Sequence, residues 1–390
     1  MATRVRSFAK INLGLAVGPL RADGFHGLVT VYQTVALHDF VTVTARPAAV
    51  TSVTVMADHL GVPSKATGDG ERNTAWKMVV GALARMGVSA EVEIAIEKRL
   101  PVQGGMGAGS ANAAAALLGL ERELGQALPK AERLRLAAEV GSDVPLFLMG
   151  GTVLGLGRGE QVYPLPDLEA LACVVAVPVV GVSTGLAFRE LDKRMWPVPQ
   201  GLKPQPPKED AAGRAEARPL QGRSDDHSGA LTFQQGGDRL SELSRALAAV
   251  WTTDGAGSGP SGITWATPKA GEGEQMEAGE SQQKALQGDL AENPLLALVR
   301  TGIENDFEEV VFSQHPFLRS TKRDLLGSSG NPGSDALFAG LSGSGSALFG
   351  LYATQAAASE AQQRVQSGGV RAILTETLPR AGYWHTMFAE

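Results

Sequence analysis

The first sixty residues read as short apolar runs cut by turn residues: KINLGLAV, LVTVYQTVAL, DFVTVTA and VTSVTVMA are rich in Val, Thr, Ile and Leu, the composition of pleated, half-buried strands. They predict a mostly antiparallel sheet. At Asn73 the period changes. In NTAWKMVVGALARMG, Trp76, Val79, Val80 and Leu83 fall along one side of a helix, with Asn73 as its N-cap and Gly87 as its stop. EVEIAIEKRL then alternates Val92, Ile94 and Ile96 against charged and small positions and delivers the chain to Pro101 and a glycine-dense loop. That loop runs straight into alanines and leucines, so the unit is strand, glycine loop, helix.

Further along, KAERLRLAAEVG predicts a helix, and SDVPLFLMGGTVLGLGRGEQVYPL returns to strand and turn text through Gly150 and Gly151. From about Met195 to Asp289 the chain is rich in Pro, Gly, Gln and charge, which predicts a loosely ordered insertion. One segment inside it, DRLSELSRALAAVW, carries Leu240, Leu243, Leu247 and Val250 at helical spacing. After Pro294 regular pattern resumes with the helix-like PLLALVRTGIENDFEEVVF, the glycine-dense LSGSGSALFGLYAT and the alternating RAILTETLP. No sustained internal repeat is visible.

A chain of 390 residues is long enough for two modest domains with a sizeable core. The net charge of -6 gives no electrostatic reason to expect nucleic acid or anionic lipid as partner, so small-molecule chemistry is the better expectation. Cys173 is the only cysteine, which excludes an internal disulfide or a cysteine cage for a metal and fits a reducing cytoplasm. MATRVRSFAKINLGLAV lacks the sustained apolar core of a signal peptide. The apolar run Leu171 to Val182 is too short to span a bilayer and reads as a buried strand.

The loop QGGMGAGSAN, Gln103 to Asn112, fails two familiar phosphate-binding patterns. Gly104 and Gly109 have P-loop spacing, but Ser110 and Ala111 stand where Lys and Ser/Thr are required. Gly105 and Gly107 open a dinucleotide fingerprint whose third glycine is Ser110. What remains is small residues whose backbone can approach a polyphosphate, a hydroxyl at Ser110, and a helix start whose dipole favours anions. On glycine content alone, a tight strand-to-helix turn with Gly chosen for positive φ is the better reading. A second cluster, DGAGSGPSG at Asp254 to Gly262, has no strand leading into it and reads as flexible linker.

Pro101 to Ala114 resembles the ATP loop of the GHMP kinase superfamily, and FAKINLGLAV and LSGSGSALFGLY resemble that superfamily's other two motifs, in the expected order. Within it, AKINLGL, RADGFHGLVTVYQTVALHDFV, GSDVPLFLMGGTVLGLGRGE and VSTGLAF are most similar to the kinases of diphosphocytidyl methylerythritol. The resemblance covers roughly Val5 to Leu191 and Asn293 to Phe388. It implies an α+β fold of two-layer α/β domains. Residues 1–165 would form an N-terminal domain like ribosomal protein S5 domain 2, with the ATP loop at 101–114. Residues 166–390 would form a ferredoxin-like C-terminal domain, interrupted by the insertion at about 195–289. It also implies a cytoplasmic enzyme that moves the γ-phosphate of ATP to the tertiary 2-hydroxyl of that cytidine diphosphate substrate, with Mg²⁺ accompanying the nucleotide and no role for nucleic acid or membrane.

Carried over residue by residue, the resemblance makes Asp143 the catalytic base and Lys10 its electrostatic partner, since a tertiary alcohol needs a proton acceptor and an offset for growing charge. Pro101, Gly104, Gly105, Met106, Gly107, Ala108, Gly109, Ser110 and Ala111 would wrap the nucleotide. Asn12, on the same strand face as Lys10, would orient substrate or Asp143. Phe25, where the family most often has Tyr, and His26 would stack on and bond the pyrimidine, with Phe188 closing its other side and Thr184 adding a hydroxyl. Gly343, Ser344 and Gly345 form the third motif. Ser110 and Asp143 are the candidate metal contacts, with no carboxylate pair that nominates a cage. Competing expectations are a homoserine or mevalonate type of kinase, and a silent relative that binds a metabolite without turnover.

Overall fold

The longest apolar text of the chain becomes one long hairpin. Strands β1 (Thr3–Leu20) and β2 (His26–Pro47) pair antiparallel, and both are buried along most of their length instead of on alternate positions. The reason is that each strand serves two cores. Val5, Val41 and Val43 pack against helices, whereas Ile11, Leu13, Val29 and Val31 pack against a second sheet through Cys173, Val175, Phe349 and Leu351. Strands covered on both faces lose polar alternation. The structure is a computed structural model of the chain and describes residues 2–21, 23–102, 104–167, 169–195, 304–327 and 335–389. Apart from Met195, the expected insertion at 195–289, with its helical segment and its glycine cluster, lies outside the described residues.

The first sheet adds β3 (Ser52–Ala57), β4 (Ala90–Glu97), β5 (Thr152–Leu156) and β6 (Gln161–Pro164). Its order is β11-β1-β2-β4-β3, with β5 and β6 extending from β2; β11 is Phe388–Ala389. Only β3 and β4 run parallel. Helices α1 (Thr74–Met86), α2 (Ala108–Leu124) and α3 (Lys130–Val140) follow. Asn73 caps α1 by accepting from the Ala75 N–H at 2.9 Å, and Gly87 ends it in the left-handed region. The buried stripe of α1 is Ala75, Met78, Val79, Ala82 and Leu83, so Trp76 and Val80 flank it half-buried, and the Trp76 indole donates to the Val53 carbonyl at 3.1 Å. The alanines let α2 lie close to the sheet, and it is buried almost all round.

The second sheet, β7 (Ala172–Val177), β8 (Phe338–Leu341), β9 (Leu348–Tyr352) and β10 (Arg371–Glu376), has order β10-β7-β9-β8 and is antiparallel throughout. With α4 as Val144–Phe147, the helices of this half are α5 (Thr184–Met195), α6 (Phe307–Gln314), α7 (Phe317–Leu326) and α8 (Gln355–Ser367). This is the strand order of the ferredoxin-like split βαβ. Of the helix-like text after Pro294, the described part is helix over Phe307–Gln314, and Asn305 forms a bridge to Leu15.

The chain does not divide cleanly at residue 165. Helix α9 (Arg380–Thr386) and β11 return to the first sheet, where Val5 pairs with Phe388, and the Tyr383 hydroxyl donates to the Phe147 carbonyl at 2.6 Å.

The approach to the glycine loop is fixed by Asp39. This fully buried carboxylate accepts from Lys98 Nζ at 2.5 Å and from the Arg99 and Leu100 N–H groups at 2.7 and 2.8 Å. A carboxylate with three donors offsets its own desolvation. Asp39→Ala strands the Lys98 ammonium, and urea unfolding is expected to show a loss of about 3–5 kcal/mol; an unchanged midpoint would mean the pair contributes nothing.

Candidate active site

The glycine loop leaves β4 and enters α2 at Gly107 and Ala108. Gly105 has φ +75°, and a Cβ there would lie 2.2 Å from the Ser342 carbonyl oxygen, so no other residue fits. The free N–H groups of the first turn of α2 open onto a cleft of about 360 Å³ lined by Pro101, Gly104 to Ser110, and Asn73 and Thr74 from the start of α1. Every nucleotide-loop residue expected from the sequence lines this cleft except Ala111, which turns into the core.

Irregular pairing aims Lys10. Register shifts lie between Phe8 and Ala9 and between Asn12 and Gly14, and such bulges redirect side chains. The Lys10 side chain is buried. Its Nζ donates to the Gly105 carbonyl at 2.7 Å and to Asn12 Oδ1 at 2.5 Å, and stands 3.7 Å from Asp143 Oδ2. Asn12 in turn donates to the Thr30 hydroxyl at 2.8 Å. Burial pulls the Lys10 amine below its ordinary pKa, and the Asp143 carboxylate opposes that shift.

Asp143 precedes α4 and remains partly open to solvent. Its Oδ1 accepts from the Tyr32 hydroxyl at 3.1 Å. Burial first, then the Asp143 carboxylate, pushes the Tyr32 phenol well above its ordinary range, so it stays a donor. Gly159 makes room for it: with φ +100°, a Cβ there would come within 2.4 Å of the phenolic oxygen. The glycines of VLGLGRGE therefore include a seat for Tyr32. In the sequence this tyrosine reads as one more aromatic in a strand, and nothing in its spacing marks it.

The third motif closes the floor. The Ser342 hydroxyl donates to the Gly105 carbonyl at 3.0 Å, and a Cβ on Gly343 would sit 3.3 Å from Lys10 Nζ. Ser344 and Thr184 join hydroxyl to hydroxyl at 2.9 Å. Gly345 packs its α-carbon toward Leu341. Lys10, Asn12, Asp143, the loop and the third motif are thus assembled at one place.

The expected base-binding residues divide into two arrangements. The His26 ring is buried, stacks on Phe188 with centroids 4.9 Å apart at 18°, contacts the Gly18 carbonyl through Nδ1 at 2.9 Å, and faces Asp192 at 3.5 Å. Phe188 also meets the edge of Phe307. The Phe25 ring is exposed and carries the Arg158 guanidinium 4.7 Å from its centroid. Arg158 had no signal in the sequence beyond lying among glycines.

Residues 73–151 match the family model for the GHMP kinases N terminal domain and residues 283–371 that for GHMP kinases C terminal. A 4-diphosphocytidyl-2-C-methyl-D-erythritol kinase of Solibacter usitatus (strain Ellin6076) is 32% identical over 353 residues, which are 89% of this chain and 80% of that protein. The enzyme of the same name from Rhodococcus jostii (strain RHA1) is 45% identical over 190 residues, 48% of this chain and 59% of that one. Among solved structures, a 4-(cytidine 5'-diphospho)-2C-methyl-D-erythritol kinase matches with TM-score 0.56 at 23% identity over 96% of this chain and 98% of that chain. A homoserine kinase from Cytophaga hutchinsonii matches with TM-score 0.59 at 18% identity, covering 97% and 95%. At those identities the structural likenesses speak for the fold. The long match to the Solibacter protein, with both domain models in order, carries the further conclusion: the chain belongs to the 4-diphosphocytidyl-2-C-methyl-D-erythritol kinase family.

Proposed function

We propose that this chain transfers the γ-phosphoryl group of ATP to the 2-hydroxyl of 4-diphosphocytidyl-2-C-methyl-D-erythritol. The observation that carries the reading is the reach of Lys10, which bonds the Gly105 carbonyl of the loop and also faces Asp143. One buried cation therefore links a phosphate cradle to a carboxylate.

In this reading Asp143 Oδ2 accepts the proton of the tertiary alcohol as its oxygen attacks the γ-phosphorus. The bond to the ADP oxygen breaks, and ADP leaves with the electron pair. A positioned base of this kind is worth ~10²–10⁴-fold. Lys10 and the N–H groups at the start of α2 offset the charge on the transferring group. Tyr32 holds Oδ1, which leaves Oδ2 toward Lys10 and the substrate.

Mg²⁺ bound to the nucleotide would add charge neutralisation. Among the described residues no group of three or more His, Cys, Asp or Glu side chains converges as a cage. The chain would offer such an ion the Ser110 hydroxyl, 3.8 Å from where a Cβ on Gly141 would stand, and the Asp143 carboxylate. That sparse donor set suits an ion held chiefly by phosphate oxygens and water. Phe25 offers its ring to the pyrimidine, and Arg158 beside it offers a cation to the diphosphate. His26 and Phe188, stacked on each other, and Thr184, bonded to Ser344 of the third motif, would line the rest of the substrate site, and a cytoplasmic location belongs to the same reading.

ADP release with Mg-ATP is expected with diphosphocytidyl methylerythritol and not with homoserine or mevalonate, and Asp143→Asn should lower kcat by roughly 10²–10⁴-fold. Nucleotide binding without turnover of any acceptor would sink the reading in favour of a silent relative. The pH profile gives a second check. Lys10 is active as the ammonium, so activity falls as pH rises through its depressed pKa, earlier than for an unburied lysine. In Lys10→Arg the cation persists, so kcat drops but the alkaline limb should disappear; a limb unmoved in that variant would assign it to another group.

A further inference from the structure

The phosphate loop rests on the third motif, through Ser342 Oγ to the Gly105 carbonyl at 3.0 Å and the Ala347 N–H to the Gly104 carbonyl at 3.3 Å. The third motif rests in turn on Asn305. This buried carboxamide donates both Nδ2 hydrogens, to the Leu341 and Gly343 carbonyls at 2.8 Å each, and its Oδ1 accepts from the Phe307 N–H at 3.0 Å. All of its strong hydrogen-bonding positions but one lone pair are used.

The residues on either side tie the same point to the strand of Lys10. The Leu15 N–H donates to the Glu304 carbonyl at 3.3 Å, the Asp306 N–H donates to the Leu15 carbonyl at 3.0 Å, and the Asp306 carboxylate accepts from the Val17 N–H at 2.7 Å. Asn305 therefore stands where β1, the start of α6 and the turn at 342–345 meet. The Asx-type bond to the Phe307 N–H, just ahead of α6, accounts for Oδ1 only. The two donors serve the turn whose Gly343 lies against Lys10 Nζ and Asn12 Oδ1.

We propose that Asn305 is a positioning residue for phosphoryl transfer, which sets the height of the third motif beneath the phosphate loop and beside Lys10. The proposal rests on the kinase reading above for its catalytic arm, while its nucleotide-binding arm needs only that the loop holds ATP.

Asn305→Asp separates the two halves of the carboxamide's work. The new side chain keeps the size and a capping oxygen, favourable at a helix start, but turns an acceptor toward two carbonyl oxygens and repels them. The turn shifts and the loop loses its support, and a displacement of about 1 Å at a remote site costs on the order of 100-fold. We expect kcat to fall about 10- to 100-fold, with weaker Mg-ATP binding by calorimetry, an unchanged KM for the cytidyl acceptor and a retained cooperative melt. Asn305→Ser, which keeps a capping oxygen and one donor, should fall between it and the wild type, and it serves if the aspartate variant does not fold. Wild-type kcat and Mg-ATP affinity in a folded variant would overturn the proposal, as would equal losses toward both substrates. If the wild type binds Mg-ATP but turns over no acceptor, the kinase reading fails, and the calorimetric arm still decides whether Asn305 supports the loop.

Discussion

A buried ammonium sets the terms of this structure. Placing Lys10 out of water costs several kcal/mol, and the fold offsets that cost with two hydrogen-bond acceptors and a carboxylate across a short gap. Each partner arrives from a different element: Gly105 from the loop after β4, Asn12 from β1 itself, Asp143 from the start of α4. None can move far without leaving a charge unsatisfied in the interior. The bulges of β1, the left-handed turn at Gly105 and the close approach at Gly343 are the backbone means of bringing them together. Rigidity at the site therefore follows from electrostatic necessity as much as from packing.

The site also depends on both sheets. The first supplies Lys10, Tyr32 and the loop, and the segment between β8 and β9 supplies the floor on which the loop sits. The apolar cluster of Ile11, Val31, Val175 and Phe349 binds the sheets to each other behind the polar residues. Clefts formed at such a junction can enclose a ligand from two sides, because each half contributes groups at its edge.

Much of this was legible in the sequence where local physics decides. The strands of the first half, the cap at Asn73, the stop at Gly87 and the alternation of Val92, Ile94 and Ile96 all express short-range rules. The loop, Lys10, Asn12 and Asp143 were legible because a resemblance tied three distant motifs together. Tyr32 and Asn305 were not. A strand tyrosine reads as core until the glycine opposite and the carboxylate beyond it are placed, and an asparagine ahead of a helix reads as a cap until its two other bonds are seen. The aromatic end was half legible. Phe25, His26 and Phe188 follow from the resemblance, yet the stacking of His26 on Phe188 comes from contacts between residues 162 positions apart, beyond any local rule.

The return of Phe388 to pair with Val5 has a temporal meaning. Synthesis on the ribosome makes β1 first and the strand that covers its edge more than 380 positions later, long after β2 and α2 are available to fold. Until then the first sheet carries an unpaired edge, the surface on which chains stick to one another. β11 pairs with Arg4 and Val5, and Arg6 donates to the Thr386 and Phe388 carbonyls, so this end of the β1 edge gains its partners only when α9 and β11 arrive.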